Sequence, residues 1–335
     1  MNKIGIAGLV GGAILAAMAG VANAEISERT IRVGSTLTPE HPNGIAVEAM
    51  AKCAADRTGG KMTIQGIHNA ALGGDQEMSQ AARAGTLDMF MTTTSPLAGL
   101  EPKLGVFDLP FLFNNPEEAL AVLDGEFGEY LSGLMPQHGL VNLGYWDYGV
   151  RQITNSKRPI KAVEDLSGLR MRVMQNNVFI DSFSALGANP IPMSWGEVFP
   201  ALETGAIDGQ ENPILTIADA QLADVQDYVS KTNHVYSAVM LMYSGPLWEK
   251  LSAEEQAVVT ECAAEATKVQ RSEMAGRVDA AYKKVIEAGM EVNEVEPAVI
   301  DAMRAKLASV YEKHSQSVGA DVVERLNAAI AKVRK

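Results

Sequence analysis

Two short stretches of this chain carry chemistry-bearing residues at tight spacing. Gly168-Leu169-Arg170-Met171-Arg172-Val173 sets two cations on alternate positions of an apolar run, so on a strand they share one face. Asp208-Gly209-Gln210-Glu211-Asn212-Pro213 packs acids, amides, glycine and proline into what reads as a sharp turn. The same ingredients recur nearby. Arg151 follows Gly144-Tyr145-Trp146-Asp147-Tyr148-Gly149, which also reads as a turn, Asn176 and Asn177 stand side by side, and Trp195 lies near a helix start. A planar guanidinium can grip a carboxylate through two parallel hydrogen bonds, with amides and an aromatic wall completing a recess for a small organic acid. Either arginine alone reads equally well as a surface residue at a strand end. Of Arg170 and Arg172, one is expected to hold the anion and the other to face solvent.

The motifs of catalysis are missing. There is no G-x-S-x-G, no H-E-x-x-H, no phosphate loop, and no G-x-G-x-x-G beyond the first 24 residues. His41, His68, His138, His234 and His314 are scattered without metal-ligand spacing. Asp75 and Glu77 could do acid–base work, but Asp75 is better explained as a helix N-cap. The expectation is a binding protein with no cofactor and no metal.

Residues 1–24 read as a secretory signal: Lys3, then an apolar, small-residue run, then Ala22-Asn23-Ala24 before a mature start near Glu25. Formal charge is −13 over the chain. Such an acidic surface repels phosphate backbones, so nucleic acid is not an expected partner. Cys53 and Cys262 could pair in an oxidising compartment, and each reads equally as a small core residue. After Thr30–Ser35, a strand pattern, comes a loop with Pro39 and Pro42, then a helix carrying Ala46, Val47 and Met50, then a strand over 62–67. This alternation continues to Pro213 and argues an α/β architecture with mainly parallel pairing. Two units echo one another: a helix from Asp75 to a glycine stop at Gly85, and a helix from Ser194 to a stop at Gly205, each followed by a short apolar strand. From Ser252, with Glu255 completing a capping box, the pattern stays helical to Gly289, which favours one long helix lying across two lobes.

The ordered set Gly73-Gly74-Asp75-Gln76-Glu77-Met78, Phe107-Asp108-Leu109-Pro110-Phe111, Gly149-Val150-Arg151, Thr154 to Ile160, Gly168 to Val173, Ala185 to Ala188 and Asp208 to Pro213 resembles the solute-binding proteins of TRAP transporters, the DctP type. The resemblance implies a periplasmic-binding-protein-like fold with two α/β lobes, a hinge and a lobe-spanning helix. One lobe is expected from 25–149 plus 238–277, the other from 150–237 plus 278–335. It implies a periplasmic protein, expected as a monomer, that closes over a small organic acid and docks on a membrane permease; a receptor in ligand sensing is the alternative partner. Arg172 then pairs with the carboxylate, Asn212 bonds the same end, and Arg151 supports a second polar group or the same carboxylate. Trp195 supplies a wall and Asn176 an amide. Thr36, Asp75 and Thr93 reach in from the first lobe, with His41 and Asn43 in the loop after the first strand. Sugar acids such as uronates and aldonates are favoured because amides and Trp195 suit a hydroxyl-rich ring. Two arginines would serve a C4-dicarboxylate equally well.

Overall fold

The computed structural model describes residues 26–335. The expected signal segment and its cleavage point lie outside them.

Ten strands form one mixed sheet: β1 (Arg29–Gly34), β2 (Met62–Ile67), β3 (Met89–Thr93), β4 (Leu140–Asn155), β5 (Arg170–Val173), β6 (Asn189–Pro192), β7 (Gly209–Pro213), β8 (Tyr228–Lys231), β9 (Tyr236–Ser244) and β10 (Glu291–Glu294). The helices are α1 (Pro42–Thr58), α2 (Asp75–Arg83), α3 (Thr94–Leu97), α4 (Pro116–Leu123), α5 (Glu126–Ser132), α6 (Asn177–Ala185), α7 (Val198–Glu203), α8 (Ile214–Asp219), α9 (Gly245–Trp248), α10 (Ala253–Glu287), α11 (Pro297–Val318) and α12 (Ala320–Val333).

Pairing is parallel where helices intervene and antiparallel along the two strands that tie the molecule together. β1 runs parallel to β2 and β3, and β5 parallel to β6 and β7. β4 and β9 are antiparallel to their neighbours, so the sheet is mixed rather than mainly parallel through its centre. β4 pairs with β9 as far as Val150, opposite Tyr236, then changes partner: Arg151 faces Pro213 on β7, and Ile153 faces Ser230 on β8.

Two segments expected as turns are strands. Gly144–Gly149 lies within β4, where register shifts after Asn142 and Asp147 coincide with Gly144 (φ 154°) and Gly149 (φ 95°), backbone that favours glycine. Asp208–Pro213 is mostly β7, buried along its whole length, so its polar residues serve internal contacts rather than solvent. A Cβ on Gly209 would collide with the carbonyl of Thr154, which is why β7 can approach β4 there.

Alternate residues of the first sheet region feed two cores. Met89, Met91, Val239 and Leu241 pack with Val47 and Met50 of α1 and Val259 of α10, while Phe90, Met240 and Met242 pack with Phe107, Phe127 and Leu131. The second region does the same: Ile153, Met171 and Val173 meet Phe179 and Phe183 of α6 and Leu307 of α11, and Ile207 and Val229 meet Ile217 of α8 and Val285 of α10. α10 is one unbroken helix of 35 residues with the Ser252–Glu255 capping box in place, about 52 Å long at 1.5 Å per residue. Its first half packs on α1 and its second on α8. Cys53 and Cys262 form a disulfide between α1 and α10, with Cα atoms 5.5 Å apart. The division expected to keep 278–335 together is crossed by α12. After Gly319 (φ 110°) the chain returns to the first region, where Val322, Leu326 and Ile330 pack with Ala119, Val122 and Leu131.

The echo between the two halves extends to individual bonds. Gly85 and Gly205 both stop their helices in the left-handed region, at φ 72° and 66°. Asp88 then accepts from the backbone N–H and Nε of Arg32 on β1, and Asp208 accepts from the backbone N–H and Nε of Arg170 on β5. The helix–glycine–strand–aspartate unit is thus used twice, each time clamping a parallel neighbour.

Candidate functional site

A cavity outlined by about 460 Å³ of space, part of it open to solvent, lies where β1, β3, β5 and β7 end. Crevices outside the carboxyl ends of parallel strands are where α/β sheets bind ligands, because loops and helix starts converge there. Ser35 to Leu37 follow β1, Met91 to Thr93 end β3, Arg172 and Met174 come from β5 and its extension, and Asn212 comes from β7. Asp75 opens α2, Trp195 opens the turn into α7, and Tyr148 and Val239 reach in from β4 and β9.

Arg172 is 4% exposed. Its Nε and Nη2 donate to the Met193 carbonyl at 3.0 and 2.8 Å, which fixes the plane of the guanidinium, and Nη1 makes no protein hydrogen bond among the described residues. Its Cζ lies 5.6 Å from the Trp195 ring centre, a cation–π arrangement. No carboxylate of the described residues is within ion-pair distance. Burial, and then the like charge of Arg151, pull its pKa down to about 10, so it stays charged at neutral pH.

Asp75 is not the N-cap of α2 but its first residue; the cap position is Gly74. The carboxylate turns into the cavity toward Thr92, in the field of Arg172, and burial raises its pKa against those two stabilising partners. A Cβ on Gly74 would press on Ser194 Oγ, which would have to turn aside: the starts of the two echoed helices meet there. Ser194 does form its expected capping box with Glu197.

Asn212 lines the cavity and is held from behind. Its Oδ1 accepts from Arg151 Nη2 at 3.1 Å and from the Tyr148 hydroxyl at 3.5 Å, and its Nδ2 donates to Gln210 Oε1 at 2.6 Å. Thr36 and Thr93 also line the wall, with Thr93 Oγ1 set 3.6 Å from the Met174 sulfur.

Three residues expected at the ligand stand elsewhere. Arg151 is fully buried and absent from the cavity wall. Its Nε pairs with Glu211 Oε2, its Nη2 with Glu211 Oε1 at 2.8 Å and the Glu211 carbonyl at 2.6 Å, and its Nη1 with Ser237 Oγ at 3.4 Å. His234 Nε2 lies 3.2 Å from Glu211 Oε2. Burial works against the charge of both partners, yet their mutual attraction outweighs it: the arginine pKa is raised and the Glu211 pKa lowered. Arg151 therefore reaches the cavity only through Asn212. Asn176 caps α6 and donates to the Ser95 carbonyl at 3.0 Å and Asp108 Oδ2 at 2.9 Å, a bond between the two halves rather than a cavity contact. His41 caps α1, with Nδ1 accepting from Asn43 N–H at 3.2 Å, and lines a neighbouring chamber. Arg170 is partly exposed and clamped by Asp208, matching its expected place at the surface.

Tyr148, Thr92 and Met174 were not anticipated. Alternation along β4 puts Tyr148 on the same face as Trp146, a signal hidden when the segment is taken for a turn. Among the described residues, no group of three His, Cys, Asp or Glu side chains could hold a metal ion.

The model of the bacterial extracellular solute-binding protein family 7, DctP, matches residues 33–317. The sugar acid binding protein DctPAm from Advenella mimigardefordensis, solved with galactonate, is 37% identical, with a TM-score of 0.90 over 92% of this chain and 99% of that one. A TRAP periplasmic solute-binding protein from Sulfurospirillum deleyianum with bound succinate is 30% identical, with a TM-score of 0.87 over 90% and 99%. The 2,3-diketo-L-gulonate-binding periplasmic protein YiaO of Escherichia coli is 34% identical over 83% of this chain and 85% of its own length.

Proposed function

Since this chain belongs to the bacterial extracellular solute-binding protein family 7, we propose that it is the periplasmic receptor of a TRAP transporter, that its ligand is a hydroxyl-rich monocarboxylate such as an aldonate or uronate, and that it hands this acid unchanged to a membrane permease. The observation that carries the ligand class is the charge on the cavity wall. Arg172 is its one cation and Asp75 its one anion among the described residues. A carboxylate held by Nη1 and Nη2 of Arg172 satisfies the cation, and hydroxyl groups at the other end donate to Asp75. A second carboxylate there would meet a like charge in a dry site, which costs affinity. The case for a dicarboxylate rests on two available arginines, and Glu211 already cancels Arg151.

The galactonate carried by the Advenella relative and the diketogulonate named for the Escherichia coli one support the same class. The succinate in the Sulfurospirillum relative marks the rival. Closure is proposed to turn on the places where β4 changes partner at Val150–Arg151 and where the chain returns through Val235 to Ser237, with α10 bridging both sides.

Titration calorimetry with galactonate, gluconate, galacturonate, glucuronate, succinate and malate tests the reading. At least one sugar acid should bind at least about tenfold more tightly than either dicarboxylate. Asp75→Asn should narrow that gap by admitting succinate. Tighter binding of succinate by the parent would overturn the ligand class, and mass analysis showing a converted acid would overturn the receptor role.

A further inference from the structure

A second chamber adjoins the acid cavity. It holds about 920 Å³ of empty space, partly open to solvent, and shares Thr36, Leu37 and Trp195 with the first cavity. Both halves of the molecule build it: Thr38 and His41 after β1, Asn69 and Ala70 before α2, and Asp219 to Leu222 at the end of α8.

Two independent features mark it as built for a ligand. Five non-glycine residues of the described chain have a left-handed backbone, and Asn69 (φ 58°), Ala70 (φ 55°) and Gln221 (φ 54°), three of the five, lie on this wall. Residues with a Cβ are held there only where the surroundings impose it, and such positions gather at ligand sites. The second feature is a buried donor without an acceptor. His41 is 1% exposed and its Nδ1 accepts from Asn43 N–H, so the neutral ring carries its proton on Nε2, which has no partner. Burial, reinforced by Arg277, holds its pKa near 3 and keeps the ring neutral. Thr38 Oγ1 is likewise unpartnered, and on the first cavity's wall so is Asn43 Nδ2. Unfilled polar positions thus run from one cavity into the next, and leaving them unfilled is costly.

We propose that the second chamber is a subsite for a neutral sugar unit carried by the acid, so that the ligands of this protein include glycosylated sugar acids. This rests on the sugar-acid reading. The carboxylate sits on Arg172, the acid's carbon chain fills the first cavity, and the attached sugar passes along Trp195, whose indole offers an apolar face to a pyranose. In the chamber, a sugar oxygen accepts from His41 Nε2 once a small shift of the wall uncovers it, since the ring is 1% exposed. The unit is neutral because the chamber's one lining charge among the described residues is Asp219, already matched by Lys284 at 3.6 Å and by the field of Arg277, so the wall offers no lining cation to a second carboxylate.

The test compares each acid with its glycosylated form by calorimetry on the mature chain: gluconate with lactobionate, and glucuronate with glucuronosyl-xylose. In at least one pair the disaccharide should bind about tenfold or more tightly than the simple acid. Ala220→Trp fills the chamber from a position that does not line the first cavity. It should erase that advantage while changing the simple acid less than about twofold. Ala220→Leu, a milder filling, should show the same trend should the tryptophan variant fold poorly. Simple acids that bind while both disaccharides bind no better would make the chamber a solvent vestibule and overturn the proposal. Should neither member of either pair bind, nor any other sugar acid, the sugar-acid reading itself fails and takes this subsite with it.

Discussion

Arg172 and Arg151 stand on adjoining parts of the same sheet, 4% and 0% exposed, and their surroundings put them to opposite uses. Around Arg151 the fold supplies a carboxylate, a carbonyl, an amide and a hydroxyl, so the cation is spent inside the protein. Around Arg172 it supplies one carbonyl and an aromatic face, with Asp75 and Glu211 acting only at a distance and no carboxylate of the described residues within ion-pair reach. A buried cation recognises an anion only where the protein withholds the counter-ion. On the proposed reading the desolvation already imposed on Arg172 is offset by the ligand, while that on Arg151 is offset by Glu211 at folding. Asn212 joins the two regions, accepting from Arg151 while facing the cavity, so the closed network holds the open one in place.

The strongest way to break this contrast is Glu211→Gln. It leaves Arg151 charged and buried without its partner, so unfolding free energy should fall by about 3–5 kcal/mol, measured by urea denaturation. A loss below about 1 kcal/mol would mean that Arg151 does not depend on Glu211.

Next comes Arg172→Lys, which keeps the charge but removes the planar fork. Affinity for the bound acid should drop about 30-fold to 1000-fold, or roughly 2–4 kcal/mol, with a smaller loss of stability than in Glu211→Gln. If calorimetry finds parent-like affinity, the anion is anchored elsewhere.

Asp108 sharpens the comparison through pH. It accepts from Ser95 Oγ and Asn176 Nδ2, and burial pushes its pKa up to about 7 despite those bonds and nearby Arg151. The folded protein keeps a proton there that the unfolded chain releases near pH 4, so this residue's contribution to stability declines as pH rises from about 4 to about 7 and is level above. Relative to Asp108→Asn, the parent should lose up to about 4 kcal/mol across that window, about 1.4 kcal/mol for each of roughly three pH units. A pH-independent difference would place the carboxylate in the ionised state throughout.

The smallest effect is expected from Arg170→Lys. This cation is partly exposed and already paired with Asp208, so affinity should change less than about threefold. A larger loss would erase the distinction between the two arginines of β5.

Much of this was legible in the residues. The Ser252–Glu255 box announced α10, the glycine stops at 85 and 205 announced the two echoed units, and the alternation in 168–173 put Arg170 and Arg172 on one strand face without telling the clamped one from the buried one. Each of these signals is local, because caps, turns and strand faces are set by residues within a few positions of one another. What residue types alone left open was who meets whom. Arg151 and Glu211 lie 60 positions apart and meet only because β4 and β7 pair with Arg151 opposite Pro213, which turned an expected ligand arginine into an internal one. Cys53 meets Cys262, α12 returns to the first core, and Asp208–Pro213 is a strand rather than a turn, all for the same reason. Local pattern was enough for most of the helices and for the few cations that could hold an acid, and it failed for the strands over 144–149 and 208–213. Which of those cations lacks a paired carboxylate follows from register and chain crossover, which bring together charges that no local pattern couples.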